Sequence, residues 1–178
     1  MTTNDNQFHF QGRAWVFGDN IDTDRIAPGK YMGQLDPQEH AAHVMEGVDA
    51  EFPKKVRPGD IIVAGSNFGC GSSRERAPSG IKTAGVRLLI AHSFARIFLR
   101  NAINIGLAVL ESPDLRGQVL EGDLLDVDLA TGVITNLRSN QKFHAKPFPP
   151  FLQELVSAGG LVPYARMRLA KKEPGNGA

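Results

Sequence analysis

The chain holds one cysteine, Cys70, among 178 residues. It therefore forms no internal disulfide, and alone it cannot supply the several thiolates that a cysteine-built zinc or iron–sulfur site requires. An excess of either charge is also missing. Twenty Lys and Arg stand against 19 Asp and Glu, a formal net charge of +1, which argues against nucleic acid as a partner, because that function expects a basic face. No apolar run approaches the ~18 residues of a membrane span. The opening "MTTNDNQFHF" is polar and has no signal-peptide core. The expectation is a cytoplasmic protein with neither a nucleic-acid nor a membrane partner. There is no internal repeat and no low-complexity tract.

What is present is ordinary globular material, 42% hydrophobic and 22% charged, enough for one domain with a buried core. Residues 1–9 read as a flexible lead, 10–168 as the domain, and 169–178 as a flexible tail; "YARMRLAKKEPGNGA" reads as a solvated, frayed end. Alternation over Phe10–Phe17 predicts a strand. "GDNIDTDRIAPGKYMGQLD" is too irregular for a helix, and long irregular loops are more often functional than idle. A short helix follows, with Asp36 as cap, Pro37 in the first turn, Glu39 closing a capping box and Gly47 as the stop. Its His40 and His43 share a face but lack an evident third ligand, so they read as partly exposed helix histidines.

Continuous apolar runs at Ile61–Gly65, Val86–Ala91 and Gly106–Glu111 read as buried strands. Between them lie helices ending near Gly85 and beginning after a Ser93 cap. Strand, helix, strand, helix, strand implies a parallel sheet with right-handed crossovers. Beyond Pro113 the pattern changes to a hairpin, "DLLDVDLATGVITNL", a short strand at "QKFHA", and a helix in "PFPPFLQELVSAGG". The fold class is α/β, a parallel core sheet with an antiparallel hairpin extension.

The densest chemistry lies in "NFGCGSSRERAP", Asn67–Pro78, directly after a predicted parallel strand. Open α/β sheets bind ligands beyond the carboxyl ends of their strands. The glycines permit positive φ and close approach, and consecutive backbone N–H groups favour an anion. Arg74 adds a planar cation suited to a carboxylate or phosphate. The segment has no P-loop lysine, no third dinucleotide-fingerprint glycine and no Gly-x-Ser-x-Gly elbow. Cys70 as a nucleophile would need a base such as His92, which no spacing recommends, so a structural Cys70 is the plainer reading. Ser72 with Glu75 could also be only a capping box. Pro78 would then break that helix, so a regular helix starting near Pro78 is expected. Residue physics leaves a carboxylate-binding bend and a structural bend both open.

Four stretches together, "GDNIDTDRIAPGKYM", "KVRPGDIIVAGSNFGCGSSRERAP", "AHSFARIFLRNAINIGL" and the hairpin after them, resemble the 3-isopropylmalate dehydratase small-subunit family. They are similar also to the swivelling fourth domain of aconitase, and the match runs through residues 10–165. The resemblance implies a swivelling β/β/α domain and a hydro-lyase that moves a hydroxyl between adjacent carbons. It implies a heterodimer whose large subunit holds a 4Fe-4S cluster, with no metal on this chain. It implies Ser72 as the base, Asp24 in a supporting catalytic role, and Ser73 and Arg74 on a substrate carboxylate. Asp22 and Asp24 could instead be loop-forming Asx residues. Arg76 stands where many relatives carry histidine.

The resemblance makes Tyr31, Met32, Gly33, Gln34 and Leu35 the substrate-reading loop. Members acting on tricarboxylates tend to place arginine there; this loop has none, though Arg25 and Lys30 are close, and Met32 and Leu35 are apolar. An apolar wall suits a branched alkyl group, at ~0.8 kcal/mol per buried CH₂. The expected substrate is therefore a small dicarboxylate, 3-isopropylmalate, as in leucine biosynthesis. Citramalate, dimethylmalate, homoaconitate and aconitate are the alternatives, and a non-catalytic binding module is the alternative of another class.

Overall fold

Seven strands form one sheet in the computed structural model, which describes residues 8–31, 33 and 36–172. They are β1 (His9–Val16), β2 (Ile61–Ala64), β3 (Leu88–Ala91), β4 (Ala108–Glu111), β5 (Leu124–Asp128), β6 (Val133–Asn136) and β7 (Gln141–His144). Their order across the sheet is β4-β3-β2-β1-β5-β6-β7. β1 through β4 pair in parallel, whereas β5, β6 and β7 continue antiparallel from the other side of β1. The parallel core with an antiparallel extension is as the sequence implies.

β1 is the joint. Ala14, Trp15 and Val16 pair with Ile61, Ile62 and Val63, while His9–Arg13 pair with Leu124–Asp128. β2 and β3 are buried at every residue, which is why their sequences are unbroken apolar runs. A turn before β2 sets the buried carboxylate of Asp60, which accepts from Arg57 N at 2.9 Å, Trp15 Nε1 at 2.8 Å and Arg13 Nη2 at 2.9 Å. Three donors satisfy a group whose burial unpaired would be costly.

Seven α-helices accompany the sheet among the described residues: α1 (Thr23–Ile26), α2 (Pro37–Ala41), α3 (Phe52–Lys55), α4 (Arg76–Thr83), α5 (Arg96–Asn104), α6 (Pro150–Ser157) and α7 (Leu161–Lys172). Asp36 caps α2 through Gln38 N at 2.8 Å. α2 nevertheless ends well before Gly47. Met45 takes φ 63 and gives its N–H to Ile26 O at 2.8 Å, a tertiary bond that ends the helical run. His40 is buried at 4% exposure, not partly exposed as expected, with its ring against Gly80 of α4. α4 starts at Arg76 rather than Pro78, with Pro78 in its first turn, where a missing N–H costs nothing. α5 is capped by Ala95 without a side-chain bond; Ser93 Oγ instead accepts from Asn67 N at 2.9 Å. Residues 164–172 are helical where a frayed end was expected, though 165–170 are exposed as expected; residues 173–178 lie outside the described residues. No helix among the described residues is long and apolar enough to cross a membrane.

Candidate active site

The loops after β1, β2 and β3 meet beyond the carboxyl ends of those strands. Asn20 N donates to Ser66 O at 2.8 Å, Gly69 N to Ile21 O at 2.8 Å, and Thr23 N to Cys70 O at 2.8 Å. Isolated parallel bridges join Asp22 with Cys70 and Phe68 with Phe94. The loop of residues 65–75 is thus held on both sides. Phe68 is buried, and its ring lies 5.2 Å from that of Phe98, with Phe94 stacked 6.2 Å from Phe98. This aromatic floor explains Gly69. It has φ +77, and a Cβ there would stand 2.1 Å from Phe98 Cγ.

On this floor the bend turns outward. Gly71 has φ +93, and Ser72 and Ser73 are exposed. Ser72 does not cap α4, whose cap is Glu75 and carries no side-chain bond, so the capping-box reading of Ser72 and Glu75 falls away. The Ser72 hydroxyl is instead gripped from two sides. Arg74 Nε donates to Ser72 Oγ at 3.0 Å, and Thr23 Oγ1 lies 3.3 Å from the same oxygen. Thr23 Oγ1 also donates to the Ser72 carbonyl at 3.1 Å.

Arg74 organises the site. Besides Ser72 Oγ, its guanidinium donates from Nη1 to Ala27 O at 3.1 Å and pairs through Nη2 with Asp24. The Arg74 side chain is 24% exposed and that of Asp24 64% exposed, so the pair stands at the surface with the arginine inside. Asp22 behaves as the Asx residue considered for this loop, accepting from Arg25 N at 2.8 Å and capping α1. Asp24 does not; it faces Arg74. The amides of Ser72 and Ser73 have no acceptor among the described residues. An anion placed there would meet exposed N–H groups, the Ser73 hydroxyl and the edge of a cation.

The loop at Tyr31 has a different root. The Tyr31 ring stacks on His43 at 3.6 Å, and its hydroxyl donates to Glu46 Oε1 at 3.2 Å. Lys30 Nζ reaches the same oxygen at 3.0 Å, and His43 Nδ1 bonds Glu46 Oε2 at 2.8 Å. His43 and then Lys30 hold the Glu46 carboxyl below its usual range. Arg25 Nε donates to Gly47 O at 3.1 Å, so both cations near the loop are engaged locally. Gly33 is exposed, with nothing within 4 Å of a Cβ position. Met32, Gln34 and Leu35 lie outside the described residues.

Cys70 is half-buried, and no hydrogen bond joins it to a histidine among the described residues. Those residues also bring no three His, Cys, Asp or Glu side chains together as a metal site. Thr23 is the component that sequence reading passed over. Its partner is 49 residues away, and the flanking aspartates drew attention from it.

Residues 15–115 match the model of the aconitase C-terminal domain. A protein of Thermodesulfovibrio yellowstonii named 3-isopropylmalate dehydratase small subunit is 55% identical over 163 residues, which is 92% of this chain and 97% of that protein. A namesake in Aquifex aeolicus is 54% identical, covering 93% and 99%. The isopropylmalate/citramalate isomerase small subunit of Methanocaldococcus jannaschii is 52% identical, covering 92% and 97%. A crystal structure of 3-isopropylmalate dehydratase from M. jannaschii superposes with a TM-score of 0.88 at 45% identity, covering 94% of this chain and 99% of that one.

Proposed function

The chain belongs to the aconitase C-terminal domain family and, within it, to the 3-isopropylmalate dehydratase small subunits; on that premise we propose that it supplies the base and the carboxylate site of an alkylmalate dehydratase. The observation that carries this reading is the double grip on an exposed serine hydroxyl, by Arg74 Nε at 3.0 Å and Thr23 Oγ1 at 3.3 Å.

A serine is a poor base in water. Beside a guanidinium that donates to it, with a threonine hydroxyl in reach and water displaced by a docked partner, its alkoxide becomes accessible. Ser72 Oγ then takes the carbon-bound proton of 2-isopropylmalate. The C–H electron pair becomes the second bond of the alkene as the hydroxyl leaves the neighbouring carbon. Rehydration on the other carbon, with the proton returned by Ser72, gives 3-isopropylmalate. A 4Fe-4S cluster on the large subunit would supply the Lewis acidity that takes up the leaving hydroxyl. Ser73 and Arg74 bind a substrate carboxylate, and Asp24 helps to hold the plane of Arg74 through their ion pair. Tyr31 anchors the loop of residues 31–35, whose apolar Met32 and Leu35 favour a branched alkyl substituent.

Isopropylmalate in the cytoplasm, as a step of leucine synthesis, is the substrate we favour. Citramalate is the second, because one similar protein carries both substrates in its name. The test is Ser72→Ala in the complex assembled anaerobically with the large subunit. Assembly should be unchanged and hydration of 2-isopropylmaleate abolished; surviving turnover would refute Ser72 as the base. Citraconate and cis-aconitate, offered to the wild-type complex, rank the substrates.

A further inference from the structure

We infer that Thr23 is a positioning residue whose single hydroxyl proton switches from the Ser72 carbonyl to the Ser72 oxygen when that oxygen becomes an alkoxide. The inference rests on the reading of Ser72 as the base.

Thr23 Oγ1 has one proton and two acceptors in reach, Ser72 O at 3.1 Å and Ser72 Oγ at 3.3 Å. While Ser72 is a neutral hydroxyl, it can provide the proton of the 3.3 Å contact, leaving the threonine proton to the carbonyl. As an alkoxide it has no proton to give and is the stronger acceptor. A turn of the O–H about the Cβ–Oγ1 bond then redirects the threonine proton to it, with no heavy atom moved. Arg74 Nε approaches the same oxygen at 3.0 Å, so the alkoxide would gain a second donor only at the moment of need. Stabilisation that appears with the charge lowers a barrier, whereas equal stabilisation of both states does not.

The surroundings hold Thr23 in one place. Thr23 is 1% exposed. Its N–H is bound to Cys70 O at 2.8 Å and its carbonyl accepts from Ala27 N at 2.9 Å, which fixes the backbone, and β-branching stiffens χ1. Gly71 keeps the approach open, since a Cβ there would stand 3.3 Å from Thr23 Oγ1. Among the described residues, the charged and titratable groups around Ser72 include Arg74 itself, Asp24 through Arg74, Asp22 turned to Arg25 N, and Cys70 and Glu75 on the bend.

The test uses Thr23→Val, Thr23→Ser and Ser72→Ala in the assembled complex. Thr23→Val should lower kcat by roughly 10²-fold, the order seen on removing one donor to a developing oxyanion. KM should hold, and the ascending limb of the pH–rate profile should move to higher pH. Thr23→Ser should restore most of the rate and the original limb. Should Thr23→Val fail to assemble, Thr23→Cys, a weak donor of similar size, must show the same displaced limb. The inference is overturned if Thr23→Val turns over normally while Ser72→Ala is dead, if Val and Ser variants fall together, or if the loss is equal at every pH. Turnover by Ser72→Ala would overturn the underlying assignment instead, so the two failures are separable.

Discussion

Arg74 Nε stands 3.0 Å from Ser72 Oγ, and the same guanidinium spans to Asp24 and to Ala27 O. Three acceptors from two loops share one rigid plane. A lysine would keep the charge but could not meet all three directions at once. Arg74→Lys should therefore cost roughly 10²–10³-fold in kcat/KM, as for loss of a donor to an oxyanion. Its thermal unfolding should shift little, because the pair with Asp24 is largely exposed and weak. Steady-state rates beside a melting curve check both; near-normal turnover would mean that charge alone suffices.

Gly69 tests the aromatic floor. Gly69→Ala meets the Phe98 ring and must also hold a positive φ. Overpacking and left-handed strain together should cost about 2–4 kcal/mol. Gly18→Ala, with nothing within 4 Å, is the matched control and should change stability by less than about 1 kcal/mol. Denaturant titration of both variants makes the comparison.

Asp123 should dominate the acid side of stability. The Arg138 side chain, then the Leu120 N–H and the Asn136 amide, hold its carboxyl far below the ordinary carboxylate range against the opposing effect of burial. Arg138 Nε lies 2.5 Å and Asn136 Nδ2 2.7 Å from its oxygens. A depressed folded pKa contributes stability above the unfolded value, ~3.9, which is lost as pH falls below it. Asp123→Asn should lower stability at pH 7 by about 1.5–3 kcal/mol and flatten its decline in acid. Urea midpoints between pH 7 and pH 3 would show whether the slope changes.

Lys82 should act on the alkaline side. Its Nζ donates to Ile105 O at 2.5 Å and Gly159 O at 3.2 Å, closing the ends of α5 and α6 with one cation. Burial first, then Arg87, pushes its pKa down from 10.5. The unfolded chain then holds that proton to higher pH than the folded one, so stability rises as pH climbs from the folded pKa toward the unfolded value. Lys82→Met should lose about 1–3 kcal/mol at pH 7. The wild type's advantage over it should widen toward pH 10, and melting curves across that range would expose a wrong sign.

The strands were legible because burial on both faces leaves unbroken apolar runs, as at Ile61–Ala64 and Leu88–Ala91. Helix starts were less so. Ser93 has the chemistry of a cap, but a loop 26 residues away claims its hydroxyl. Pro78 looked like a barrier to an earlier start, yet it lies within the first turn of α4. His40 looked partly exposed because nothing local shows that α4 will cover it, with Gly80 against its ring. At the site, Ser72, Arg74 and Asp24 carried visible chemistry. Thr23 did not, since its role exists only once two distant loops touch.

The placement of β1 bears on the order of events during synthesis. It leaves the ribosome before the other six strands, yet its carboxyl half has no ladder until Ile61–Ala64 is made, and its amino half none until Leu124–Asp128 follows. The N-terminal strand must wait, with Phe10 and Trp15 uncovered, for partners from two later stretches of chain. Nascent chains arrested between those two points would hold a half-paired β1, the state in which a chaperone or another copy's strand could most readily compete for it.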